Sequence, residues 1–301
     1  MLRDFNELVQ IVSGKPDKKR IALACAHDEH SLDAVYEAYK AGMVSPVLVG
    51  VETEILALMD KYGFDFEGNA KIYDTADDIE AAKLSVELIR ESKADFLMKG
   101  KMQTADLLKQ VVNKETGLQT GKIMSHVALF QLPSYHKLII VSDGGMLLAP
   151  DVNQKVDIIN NAVDTLRNIG YEEPKVAVLC GAEKLNPKAP ESVDAAELKD
   201  RNMRGEIADC IVEGPISYDI SISKEIAELK GFDSPVAGDA DILVVPNMAT
   251  GNILGKSWTI NADAIMAGII VGAKVPIVLT SRGASAEEKL YSIVLAAAAS
   301  K

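Results

Sequence analysis

The stretch VPIVLTSRGASAEEK, residues 275–289, decides how this chain is read. Val275, Pro276, Ile277, Val278 and Leu279 form a largely β-branched apolar run, the signature of a buried strand. Beyond it, Leu290, Ile293, Val294 and Ala297 share one face at helical spacing. Ser281, Arg282 and Gly283 therefore sit where the carboxyl end of a strand turns into a helix. In an α/β sheet that edge holds ligands, and the unpaired amides of the following helix attract anions. A cation at a helix start is disfavoured by the dipole unless an anion offsets it, so Arg282 points to a bound phosphate or similar anion.

The same pattern recurs along the chain. Predicted strands cover 20–26, 46–50, 71–74, 95–99, 137–142, 175–180, 210–213, 241–246 and 276–280, and predicted helices include 31–41, 77–91, 104–112, 153–169 and 224–230. This alternation predicts an α/β fold of mostly parallel sheets with helices on both faces. With 301 residues, 48% apolar and 25% charged, the chain can bury a large core and divides into two domains. The turn-rich passage 143–151 marks the border. If the last strand and helix return to the first domain, that domain is discontinuous, 1–143 plus 276–301, the second is 144–275, and the active-site cleft lies between them.

A net charge of −12, without a Lys/Arg-rich run, argues against nucleic-acid and anionic-membrane surfaces, which need a basic footprint. Residues 1–7 lack the apolar core of a signal peptide, and the longest apolar run, 265–273, is too short to span a bilayer, so a cytoplasmic location is expected. Cys25, Cys180 and Cys210 are widely spaced and lie in or beside apolar runs, as buried reduced thiols do. The histidines lack i,i+4 pairing or nearby acidic ligands, so no metal site is expected.

MKGKMQT, residues 98–104, forms a second strand end, carrying Lys99, Gly100 and Lys101 before a helix that starts near Thr104. Alone it reads as a solvated turn. On the same sheet edge as Arg282, its lysines become convergent cations, which point to an anionic ligand. At Ser142-Asp143-Gly144-Gly145 a tight turn explains the glycines. His126, after Ser125, either donates to an acyl or phosphate oxygen or is a half-buried polar residue with one backbone partner. Ser285 and Glu288 match a capping box, which alone would make Glu288 structural, although its nearness to Ser281 lets a carboxylate face whatever Arg282 holds. GNILGKS, residues 251–257, is a broken phosphate loop, with three residues between its glycines where four are needed. Asn252 and Lys256 remain candidate ligand contacts.

Taken together, MKGKMQTADLL (98–108), NKETGLQTGKIMSHVALF (113–130), SDGGMLLAPD (142–151), NPKAPESVDAAEL (186–198), VEGPISYDISIS (212–223), VAGDADILVVPNMATGNILGK (236–256) and VLTSRGAS (278–285) resemble the phosphate acetyltransferase and phosphate butyryltransferase family. The length and the TGKIMSHVA phrase (120–128) are closer to the butyryl branch. The resemblance implies reversible acyl transfer between acyl-CoA, butyryl-CoA or another short-chain acyl-CoA, and inorganic phosphate, giving acyl phosphate and coenzyme A. It implies the two-domain fold shared with isocitrate and isopropylmalate dehydrogenases, a homodimer or larger assembly, and coenzyme A as a substrate with no permanently bound cofactor.

The resemblance also implies a catalytic group of Ser281, Arg282 and Glu288, where Glu288 replaces the family's aspartate and Glu287 is the adjacent alternative. Lys99, Gly100, Lys101, Thr104, Ser125, His126, Asp143, Asn252, Lys256, Gly283 and Ser285 complete the expected substrate contacts. Phosphate acetyl transfer is one alternative. A metal- and NAD-dependent dehydrogenase of the same fold is the other, and would need Asp143, Asp219, Asp239 or Asp241 as metal ligands.

Overall fold

The computed structural model describes residues 1–281 and 283–301. In chain order the elements are α1 (Phe5–Gly14), β1 (Lys19–Ala24), α2 (Glu29–Lys40), β2 (Val44–Gly50), α3 (Glu52–Tyr62), β3 (Lys71–Asp74), α4 (Asp78–Arg90), β4 (Phe96–Lys99), α5 (Thr104–Val111), β5 (Ser125–Gln131) and β6 (Ile139–Ser142). There follow α6 (Val152–Asn168), β7 (Lys175–Leu179), α7 (Pro190–Met203), β8 (Ile211–Ile216), α8 (Tyr218–Ile222), α9 (Lys224–Leu229), β9 (Ile242–Val244), α10 (Met248–Asn261), β10 (Ile265–Val271), β11 (Ile277–Val278) and α11 (Ala286–Ala299).

The chain folds as two compact units, one of Asn6–Lys122 with Ala267–Lys301, the other of Met1–Phe5 with Ile123–Met266. The sequence places the borders at 143/144 and 275/276, whereas the units divide at 122/123 and 266/267. The reason is strand pairing. β5 and β6 form an antiparallel pair, Ala128 opposite Val141, and β6 pairs in parallel with β9, so both belong with the later strands.

In the first unit the strands run in the order β3-β2-β1-β4-β11-β10. β1 pairs in parallel with β2 and β4, β4 with β11, and only β10 joins antiparallel, through Ile270 and Ile277. The apolar run of 275–279 thus supplies a strand of only two residues, Ile277–Val278. α11 departs from the one-faced helix read from sequence, because every residue from Ser292 to Ala299 is buried. A helix that is apolar all round belongs inside, and its run of alanines lets neighbouring elements approach closely.

In the second unit the order is β5-β6-β9-β7-β8, parallel except for β5. Its core includes Phe130, Ile139, Val141, Leu243 and Trp258, with Phe130 and Trp258 meeting edge to face at 5.1 Å. The broken phosphate loop is not a loop at all, since it lies within α10, whose Asn247 cap accepts from the amide of Thr250. Its glycines are there for close packing. A Cβ at Gly255 would come within 2.9 Å of the Phe130 ring, and one at Gly251 within 2.9 Å of the Gly144 Cα.

In each unit the parallel strands are tied by ion pairs at their amino ends. Arg20 in β1 grips Asp95, just before β4, with Nε and Nη2 on the two carboxylate oxygens at 3.0 and 2.7 Å. In the second unit the fully buried Lys137 lies 2.6 Å from Asp241 and 2.8 Å from Asp239, while Lys175 and His136 also reach Asp239. Such contacts leave the opposite, carboxyl edge of each sheet for ligands.

Candidate active site

In the first unit, β1, β4 and β11 end side by side, and the loops after them surround a pocket of about 530 Å³. Lys99, Gly100, Lys101 and Ser281 all line it, so the two strand ends singled out in the sequence do converge. Lys99 Nζ donates to the carbonyl oxygens of Gly100 (3.0 Å) and Met102 (3.2 Å), which fixes the turn that presents Lys101. Gly100 is dictated by close approach. A Cβ there would lie 2.2 Å from the Cys25 carbonyl oxygen and 2.7 Å from that of Ala24.

Ser281 is exposed at the pocket, and its carbonyl accepts from Ala284 N at 3.1 Å, closing the turn that contains Gly283. Arg282 lies outside the described residues. Ser285 caps α11 by accepting from the amide of Glu288 at 3.0 Å. The reciprocal half of the expected capping box, from the Ser285 amide to the Glu288 carboxylate, is not among the bonds of the described residues. Glu288 is half-buried, and burial raises its pKa above the usual glutamate range against the opposing charge of Lys289. It does not line the pocket, whereas Lys289 beside it does. Thr104 begins α5 as an exposed residue and is also absent from the pocket wall.

The wall holds residues that the sequence reading passes over, among them Asp28, His30, Ser31, Asp78 and Asp106. Asp28 caps α2, accepting from Ser31 N at 3.0 Å. A polar residue capping a helix straight after an apolar strand is the signal that could have marked it.

The remaining predicted residues form a second cluster, in the second unit. β5 runs antiparallel to β6, which sets Ser125 and His126 beside the end of β6. Asp143 is buried, and its carboxylate accepts from the amides of His126 (3.0 Å), Gly145 (2.7 Å) and Met146 (2.8 Å). It therefore organises the loop. The His126 amide has that single partner, while its ring keeps a buried Nδ1 without one. Burial lowers the His126 pKa against the pull of Asp143, favouring a neutral imidazole. Ser125 is fully buried and accepts from Asn161 Nδ2 at 2.9 Å. Asn252 donates to the Gly144 carbonyl at 3.3 Å, and Lys256 is exposed on α10.

The four acids that a metal-dependent dehydrogenase would need are otherwise engaged. Asp143 holds backbone amides, Asp219 pairs with Lys230 at 2.9 Å and accepts from Ser217, and Asp239 and Asp241 lie in the lysine cluster. The cysteines are buried and unpaired, as read from sequence. Among the described residues no helix is long and apolar enough to cross a membrane.

Comparison with known proteins identifies the family. Residues 79–297 match the family model described as phosphate acetyl/butaryl transferase. The chain is 43% identical over 297 residues to phosphate butyryltransferase from Clostridium acetobutylicum, covering 99% of this chain and 98% of that one. It is equally 43% identical, over 293 residues, to phosphate acetyltransferase from Thermotoga maritima, covering 97% and 98%. Among solved structures, a branched-chain phosphotransacylase from Enterococcus faecalis V583 superposes with a TM-score of 0.83 at 34% identity, covering 93% of this chain and 98% of that one. The chain belongs to the phosphate acetyl/butyryl transferase family.

Proposed function

We propose that the chain transfers an acyl group reversibly between inorganic phosphate and coenzyme A, the thioester being butyryl-CoA or another short-chain acyl-CoA. The observation that carries this reading is the convergence of Ser281 with Lys99, Gly100 and Lys101 on one pocket at a sheet's carboxyl edge. Cations and a hydroxyl gathered there suit an acyl phosphate, whose charge they offset and whose carbonyl they polarise.

In this mechanism the coenzyme A sulfur attacks the acyl-phosphate carbonyl carbon in a ternary complex. The thiol proton passes to Glu288, which adjoins the pocket-lining Lys289 on α11 and whose raised pKa brings it nearer the operating pH of a general base. Ser281 donates to the carbonyl oxygen as negative charge develops on it. The carbon–oxygen bond to phosphate then breaks, and inorganic phosphate leaves, held by Arg282 and Lys101. The reverse reaction is attack by phosphate on the acyl-CoA carbonyl. No enzyme nucleophile takes part, in keeping with the burial of Cys25, Cys180 and Cys210. Their unpaired state also supports a cytoplasmic setting, and self-association into a dimer or larger assembly belongs to the same reading.

Thioester formation from butyryl phosphate and coenzyme A tests the assignment. Ser281→Ala should lower turnover with the fold intact, and Arg282→Gln should remove about 2–4 kcal/mol of transition-state stabilisation, the scale of one preorganised donor. Full turnover in both variants would overturn the site.

A further inference from the structure

The carboxyl end of β1 carries a set of donor groups that acyl transfer does not use. Cys25 directly follows β1, His27 lies in the loop beyond, and Asp78 is the first residue of α4. One ligand atom from each lies within 4.8 Å of the others. Met102 adds a thioether, its Sδ 3.7 Å from Cys25 Sγ, and His27 Nε2 is 3.5 Å from Asp78 Oδ1.

The sulfur–sulfur and nitrogen–oxygen separations match two of the six ligand edges around a tetrahedral ion. Two sulfurs each about 2.3 Å from zinc stand about 3.8 Å apart, and a nitrogen and an oxygen at about 2.0–2.1 Å stand about 3.4 Å apart. The groups have little else to hold them. Beyond Met102, the fully buried Cys25 thiol has a weak contact with the Asp78 carbonyl at 3.8 Å. The His27 ring is set by shape, because a Cβ at Gly50 would come within 2.8 Å of its Nδ1, and that nitrogen is buried without a partner. Its placement therefore delivers Nε2 towards Asp78 without any bond of Nδ1 requiring it.

We propose that Cys25, His27, Asp78 and Met102 form a binding site for a thiophilic divalent cation of the zinc class. Thiolate, thioether and imidazole donors select such an ion over magnesium or calcium, which take oxygen ligands. Asp78 and Met102 also line the pocket, so a bound ion would hold two of its wall residues and couple metal occupancy to acyl-CoA binding. Sequence spacing hides the site, because its acidic ligand comes from another helix. The donors lie together in space although not along the chain.

The full chain, stripped of adventitious metal with a chelator, is titrated with cadmium, and zinc is measured by competition with a chromophoric chelator. The expected result is one equivalent bound, with an ultraviolet thiolate-to-cadmium charge-transfer band. That band should vanish in Cys25→Ser, and zinc affinity should fall by at least about tenfold in Cys25→Ser and His27→Gln, the lower bound for losing even an outer-shell partner. Asp78→Asn, altering a side chain that is 48% exposed, should also weaken zinc and keeps the test open if a buried substitution disturbs folding. A band that survives in Cys25→Ser, affinity unchanged in the variants, or no binding at all would overturn the site. Because binding is read without substrate, its failure is distinct from failure of the acyl-transfer reading.

Discussion

Ser285 Oγ accepts from the Glu288 amide at 3.0 Å, so the hydroxyl that starts α11 also fixes the backbone of the proposed base. Burial raises the pKa of the Glu288 carboxyl, so the folded protein holds that proton more tightly than the unfolded chain does. Stability from this group is therefore full below the unfolded pKa and is lost as pH rises through the folded one. At neutral pH, Glu288→Gln should unfold at the same or a higher temperature than the parent, while turnover falls by about 10²- to 10⁴-fold. The acidic limb of the kcat/KM profile should lie above the ordinary glutamate range and disappear in the variant. Parent-like turnover would return Glu288 to a purely structural role and favour Glu287.

Gly100→Ala tests the floor of the pocket. The added Cβ meets two backbone oxygens of β1 and the residue after it, which cannot yield without opening the β1–β4 ladder. A loss of about 1–3 kcal/mol or more is expected in denaturant melts, with activity falling as well. Gly14→Ala is the control. Nothing lies within 4 Å of a Cβ there, so the change should be neutral or slightly stabilising.

Lys137→Met should cost about 3–5 kcal/mol at neutral pH, because it strands the buried Asp241 carboxylate. Burial pushes the Asp239 carboxyl up, yet hydrogen bonds from Lys137, Lys175 and His136 outweigh it and hold the pKa well below the usual range. That stabilisation is present above the unfolded pKa and lost as pH falls through the folded one, so the gap between parent and variant should narrow in acid. Urea melts at neutral and acidic pH read the difference directly.

Cys180→Ala and Cys210→Ala should both retain turnover, and no acyl-enzyme should be trapped on rapid acid quench. Burial pushes the Cys210 thiol up to about 12 and raises that of Cys180 as well, so neither is a ready thiolate. A covalent intermediate on either cysteine would replace direct transfer with a two-step path.

The sheets were legible because their strands are short β-branched runs set between amphipathic helices, and Lys99 and Ser281 could be placed on one edge by counting strand ends. β10 was harder. Its run at 265–271 lacks alternation because β10 is buried along most of its length, so periodicity alone does not separate it from a helix. α10 was obscured by glycines that mimic a phosphate loop but serve contact with Phe130 and Gly144. Asp143 is expected at the site only through the resemblance, and the sequence alone does not show that its carboxylate organises the turn by accepting three backbone amides. The Cys25, His27 and Asp78 cluster is invisible to spacing because tertiary packing alone assembles it.

The most direct test of the central claim is free-thiol release from butyryl-CoA by the purified chain, with and without inorganic phosphate, the acyl product being trapped with hydroxylamine. Direct acyl transfer to phosphate requires release that saturates with phosphate and yields acyl phosphate in equal amount. Release that ignores phosphate, or none across short acyl chains, would contradict it.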